Sequence, residues 1–254
     1  MHSEEILIIA KTIPLPSKTY QELVCTVGIT RGGKLVRLYP IPYRFLEYPK
    51  QYKKYQWIKV DIEKNGKDYR ADSYRPLTET IKPLGLPLPA GKWEERKGVV
   101  LPLVSPDLEV IQDDYDKKGI SLGIFKPKTI ELKIEKDDDE WSAGKKKILS
   151  QQVLFGPQPK KLDKLPFKFS YNFTCDNENC KGHTTKIIDW EISELYRNLK
   201  NRYQYSMDII LEKMKQKWQD EMWRADKDSY LIVGTTYPYP HFVVLGVFWP
   251  PKNK

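Results

Sequence analysis

Along the first sixty residues short apolar runs and period-two alternation mark several segments of extended chain, so the opening of the protein is predicted to be rich in strand. Glu5 to Thr12 carries an unbroken apolar run and reads as a buried first strand, with Gln21 to Thr30 as the second. Arg31-Gly32-Gly33-Lys34 predicts a tight hairpin, because paired glycines supply the positive φ that the reversal needs. Leu35 to Pro40 returns antiparallel. Its alternation puts Leu35, Arg37 and Tyr39 on one face and Val36 and Leu38 on the other. Trp57 to Glu63 is a further alternating strand, turned by Asn65-Gly66.

The prolines between Pro83 and Pro89, with Gly91 after them, interrupt this pattern and predict a boundary: residues 1–88 form one β-rich unit and residues 89–254 a second. Lys92 to Ser121 shows little periodicity. Lys128 to Lys136 alternates strictly and reads as a half-exposed strand, and Trp141 to Phe155 fits a short amphipathic helix ended by Gly156-Pro157. Lys160 to Phe173 ends in an alternation that places Phe167, Phe169, Tyr171 and Phe173 on one face. From Asp189, suited to an N-cap with Glu191 behind it, apolar residues recur every three or four positions. They run through Ile192, Leu195, Leu199, Tyr203, Met207, Ile210, Met214, Trp218 and Met222. This is a long helix with one side buried against a sheet, expected to break near Tyr205-Ser206. Tyr230 to Thr235 and Phe242 to Trp249 form a closing hairpin, central in the second sheet. The fold class is α+β.

Composition adds a bias in partners. The chain has 254 residues, 40% hydrophobic and 30% charged, the profile of a folded globular protein. Its formal charge of +9, from 43 Lys and Arg against 34 Asp and Glu, favours polyanions. Lysine outweighs arginine, which suits phosphate contact better than base reading. The start, MHSEEILIIAKTIPLP, lacks the basic opening and long apolar stretch of a secretion signal, and no window is apolar enough to span a membrane. Three cysteines make no disulfide framework, so a reducing cytoplasm is expected.

Two groups of residues carry candidate chemistry. Cys175, Cys180 and His183 lie within nine residues, spaced as one loop would wrap a metal ion, with zinc the expected cofactor. The candidates for a fourth ligand are His241, Asp176, Asp189 or water. The competing reading makes Cys175 a small core hydrophobe and leaves Cys180 and His183 to a turn. The second group is basic and aromatic. Arg37 and Tyr39 share a strand face, Arg44, Lys50, Lys53 and Lys54 are interleaved with the tyrosines of Tyr43 to Tyr55, and Arg197, Lys200 and Arg202 lie on the long helix. Such mixtures pair phosphate contact with base stacking. Alternatively, the tyrosines of Tyr43 to Tyr55 pack a loop against a barrel while the lysines stay solvated.

The stretch GKLVRLYPIPYRFL, within Ile6 to Glu63, resembles the dual OB-containing domain family of prokaryotic conflict and defence loci, with further likeness in CDNENCKGH, DWEISELYR and the terminal GVFWPP. The family pattern has a tryptophan in the strand after the glycine turn, where this chain has Leu35-Val36-Arg37. The resemblance implies an OB-like barrel over residues 1–88 and a non-catalytic accessory subunit of a defence-type complex. Its expected partners are DNA or RNA and an effector protein, Argonaute-like or a nuclease. Two other functions stay open from the residues. One is a metal-dependent hydrolase using Asp189 and Glu191 beside the Cys-Cys-His loop, and the other is a pure protein-interaction scaffold.

Overall fold

A computed structural model describes residues 1–66, 68–150, 157, 159–238 and 240–252. The first unit contains β1 (His2–Lys11), β2 (Leu15–Ser17), β3 (Gln21–Thr30), β4 (Leu35–Ile41), β5 (Trp57–Lys64), β6 (Ser73–Pro76) and β7 (Lys82–Leu84). Five of these close into a barrel in the order β1-β3-β4-β6-β5, with β5 returning antiparallel to β1. The β4–β6 pair alone is parallel among these neighbours, and this mixed, closed, five-stranded arrangement is OB-like. Ile6, Ile8, Val36, Leu38, Ile58 and Val60 fill its interior, as the alternation predicts.

The second unit begins with α1 (Trp93–Val100), β8 (Val104–Ser105), α2 (Leu108–Lys118), β9 (Leu122–Phe125), β10 (Thr129–Lys136) and α3 (Ala143–Leu149). It continues with β11 (Phe167–Thr174), β12 (His183–Lys186), α4 (Trp190–Arg197), α5 (Met207–Lys215), β13 (Tyr230–Thr235) and β14 (Phe242–Phe248). Two sheets result, β10-β11-β12 and β14-β13-β9-β8, so the closing hairpin supplies one inner strand and one edge. The α+β class follows.

The unpatterned stretch from Lys92 to Ser121 holds two helices. Asp107 Oδ1 accepts from Val110 N at 2.8 Å, and Gly119, at φ 68°, ends α2 in the left-handed region that glycine tolerates. Only Leu108 and Ile111 of α2 are buried, too few positions to write a stripe. The long helix divides as expected. α4 runs through a π-helical turn at Asn198–Arg202, the chain breaks over 203–206, and α5 follows. Ile192, Leu199, Ile210, Met214, Trp218 and Met222 are buried, whereas Tyr203 and Met207 flank the break and lie in solvent. Of the helix expected over Trp141 to Phe155, α3 occupies Ala143–Leu149, and residues 151–156 lie outside the described residues.

The outer face of the barrel is apolar too. Leu7, Ile9, Val27 and Ile29 point away from the barrel interior and join Ile124, Ile232, Leu245 and Phe248 in one core shared by the two units. Beside it, Ile13 N donates to Ile188 O at 2.8 Å and Ile188 N to Val244 O at 2.9 Å, tying the end of β1 through residue 188 to β14. Burying four such side chains stabilises by about 6–12 kcal/mol, as much as a whole domain's net stability. A fragment of residues 1–102 is therefore expected to show no cooperative thermal transition by circular dichroism, and co-expression with residues 103–254 to restore one. A sharp transition in the fragment alone would refute the shared core as a condition of folding.

Candidate functional site

β11 delivers Cys175 to the start of a tight loop, and β12 begins at His183. Inside the loop Cys180 N donates to Asn177 O at 3.0 Å, and Gly182 adopts φ 87°, a conformation strained for any residue with a Cβ. The loop is docked on α2, because Asn177 Nδ2 donates to Asp107 Oδ2 at 3.2 Å while the other oxygen of Asp107 caps that helix. This docking brings Glu109, in the first turn of α2, to the cysteines. The ligand atoms of Glu109, Cys175, Cys180 and His183 all lie within 4.8 Å of one another. Cys180 Sγ is 3.3 Å from His183 Nε2, which is 3.0 Å from Glu109 Oε1. His183 also stacks on Phe173, with centroids 5.0 Å apart, which fixes the ring.

The four residues fit a metal ion. Glu109 Oε2 is buried and has no hydrogen-bond partner, an orphaned acceptor inside a ring of ligand atoms. Burial pushes the Cys175 thiol up, and Glu109 adds to the effect. Burial opposes the charge of Glu109, yet the neighbouring Cys175, its own backbone N–H, His183 and Cys180 hold its carboxyl below the usual range. A divalent cation would take the place of the thiol protons. None of the side chains expected as fourth ligand is part of this cluster: Asp176 pairs with Lys128 at 3.1 Å, Asp189 caps α4 through a 2.8 Å bond from Glu191 N, and His241 is exposed on the β13–β14 connection. Glu109 was hidden because nothing in the sequence brings α2 to a loop so distant along the chain.

The basic residues do not converge on one surface. Arg37 lies on the face predicted for it, but the second unit covers that face and leaves the side chain 4% exposed, while Tyr39 keeps 36%. Arg44 is paired with Glu22 at 2.9 Å and donates to Lys160 O. Lys50 pairs with Glu47 at 3.1 Å, Lys53 is exposed, and Lys54 pairs with Glu191 at 2.6 Å. Tyr43, Tyr52 and Tyr55 are buried, so these tyrosines pack the loop against the barrel. Arg197 is held by Glu194 at 2.6 Å and Ser193 at 3.1 Å. Lys200 and Arg202 are exposed at the helix break, Lys200 with its ammonium 6.0 Å from the Tyr196 ring.

Asp189 and Glu191 belong to a separate charged cluster where the barrel meets α4. Lys11 Nζ lies 3.8 Å from the Tyr43 ring centre and donates to Tyr52 O at 3.2 Å. Burial lowers the Lys11 ammonium to about 8, against the attraction of Glu191 and Asp189. Burial raises the Asp189 carboxyl from 3.8 to about 7, against Lys54. Because folding raises this acid's pKa, its contribution to stability is complete below about pH 4 and is lost as pH rises toward 7. Asp189→Asn stays neutral and keeps an N-cap oxygen. Urea melts across that interval are expected to show the variant gaining on the parent as pH rises, whereas parallel stability profiles would refute the assignment.

No curated protein and no solved structure shows significant similarity to the chain. Residues 2–102 match a family described as a domain of unknown function, DUF8758, and residues 107–254 match a second one, DUF8757. The second match spans more than half of the chain, with Glu109, Cys175, Cys180 and His183 all inside it, and the protein belongs to the DUF8757 family.

Proposed function

We propose that the protein is a non-catalytic nucleic-acid-binding subunit whose second unit is clamped by zinc. The observation that carries the reading lies at the break between α4 and α5. Tyr203 and Tyr205 stack with ring centres 5.6 Å apart and planes 9° from parallel, and both are exposed. The Arg202 guanidinium lies 5.6 Å from the Tyr203 ring and Lys213 Nζ 5.4 Å from Tyr205. An exposed aromatic platform flanked by cations suits an unpaired base with its phosphate, and the +9 charge favours the approach of a polyanion. The hydrolase alternative finds no support in the geometry, since Glu191 is engaged with Lys54 and Asp189 caps α4. An accessory role beside an effector protein rests on the resemblance to defence-locus proteins.

Fluorescence anisotropy with a labelled single-stranded oligonucleotide tests the surface. Affinity is expected to fall steeply between about 50 and 200 mM salt. Tyr203→Ala with Tyr205→Ala is expected to weaken binding at least tenfold, since one stacked base contributes about 1–3 kcal/mol. Salt-independent binding, or no binding to single- or double-stranded DNA or RNA, would end this reading.

Zinc is the metal that the donor set favours, because two thiolates, an imidazole and a carboxylate complete a tetrahedron around a borderline ion. Bound there it would join α2 to the β11–β12 loop. Metal analysis of the purified chain is expected to find one zinc, and Cys180→Ser to lose it. At free zinc a thousandfold above its Kd the ion adds about 4 kcal/mol, so the variant should melt about 10 °C lower. An unchanged melting temperature with no zinc in the parent protein would remove the clamp.

A further inference from the structure

A cavity of about 340 Å³ lies between the outer face of β3 and β4 and the β13–β14 hairpin. That is the size of site that small ligands occupy. One wall is apolar, from Leu15, Leu23, Val243 and Leu245, and Tyr39 and Tyr237 line it as well. Among the described residues the charged groups in its lining are two arginines, Arg37 and Arg70, and no carboxylate.

The two arginines differ in how they are satisfied. Arg70 makes a bidentate pair with Asp68 at 2.8 and 2.7 Å and gives its third bond to Thr235 O at 2.9 Å. Arg37, only 4% exposed, has no such partner. Its Nη2 donates to Ser121 Oγ at 3.0 Å and to Ser121 O at 3.5 Å, and the Ser121 hydroxyl in turn donates to Asp72, so a serine separates the guanidinium from the nearest carboxylate of this relay. Its Nη1 has only the Cys25 sulfur at 3.4 Å, a weak acceptor. Its Nε is buried with no partner, as is Oγ1 of Thr235, a residue 2% exposed in the same lining. Gly234 makes room for the group, since a Cβ there would fall 2.8 Å from Nη2. A buried cation with spare donors is expensive unless an anion completes it.

We propose that this cavity binds a nucleoside monophosphate, with the phosphate on Arg37 and Thr235 and the flat base among Tyr39, Tyr237 and the apolar wall. A phosphate oxygen accepts from a guanidinium fork and a hydroxyl together, which a neutral ligand does not do as well. The site is distinct from the tyrosine platform and needs neither that surface nor the metal.

Isothermal titration of the full chain with each of the four common nucleoside 5′-monophosphates, the matching nucleosides and inorganic phosphate tests the assignment. At least one monophosphate should bind at least tenfold tighter than both its nucleoside and inorganic phosphate. Thr235→Val removes a hydroxyl that holds nothing in the protein, so the fold should survive while affinity drops about tenfold, the scale of one hydrogen bond to a charged group. Arg37→Lys keeps the charge but loses the fork and should reduce binding further, and Tyr237→Ala at the exposed rim serves if Arg37→Lys does not fold. A 5′-phosphorylated oligonucleotide competing with the mononucleotide, where its unphosphorylated twin does not, would place the ligand at a strand end. Mononucleotide binding without that competition would make it a free metabolite. Failure of every phosphorylated probe, equal binding of nucleoside and nucleotide, or affinity unchanged in Thr235→Val and Tyr237→Ala would overturn the proposal.

Discussion

The first strand has to bury both of its faces. In β1, Ile6 and Ile8 enter the barrel while Leu7 and Ile9 face outward, and all four are fully buried. A barrel strand ordinarily shows one face to water and reads as alternating, so a continuous apolar run needs a second layer. The four-stranded sheet of the second unit is that layer. Because it covers apolar surface on the scale of a domain's whole stability, the two units share one core and hold a fixed relation.

That requirement determines where the charged groups go. Closing the sheet over β3 and β4 buries Arg37 and Asp72 with Ser121 between them, and closing α4 against the barrel buries Asp189 and half-buries Lys11. Burial moves the Lys11 and Asp189 pKa values toward each other, and the low-dielectric junction makes each charge depend on its neighbours. Lys54 and Glu191 pair across the same junction, Lys54 from the barrel and Glu191 from α4. The exposed cations at the helix break lie outside this layer, and nucleic-acid contact is proposed there. The barrel face associated with OB-type ligand binding is instead narrowed by the hairpin to a small chamber.

The cluster of Glu109, Cys175, Cys180 and His183 depends on a different docking. Asp107 serves α2 and the cysteine loop with its two oxygens, so the helix cap and the attachment of the loop are one interaction. Glu109 follows two residues later and inherits its position from that cap. Once α2 is placed, orientation of the carboxylate costs little more, whereas the orphaned Oε2 would cost considerably without a partner.

The sequence by itself determined four of the five barrel strands, β1, β3, β4 and β5 but not β6, together with the hairpin at Arg31 to Lys34, the phenylalanine face of β11, the cap at Asp189 and the break between α4 and α5. It also placed Cys175, Cys180 and His183 together. These depend on period, turn chemistry and short spacing, which act over a few residues. Tertiary structure alone decided that Glu109 is the fourth member of the cluster, that Arg37 is buried rather than presented, and that Lys54 and Arg44 are engaged by Glu191 and Glu22. The strand pattern assigned Arg37 to the correct face. It could not say that a sheet from the other end of the chain would cover that face, because an alternation records which side a residue takes and not what packs against it.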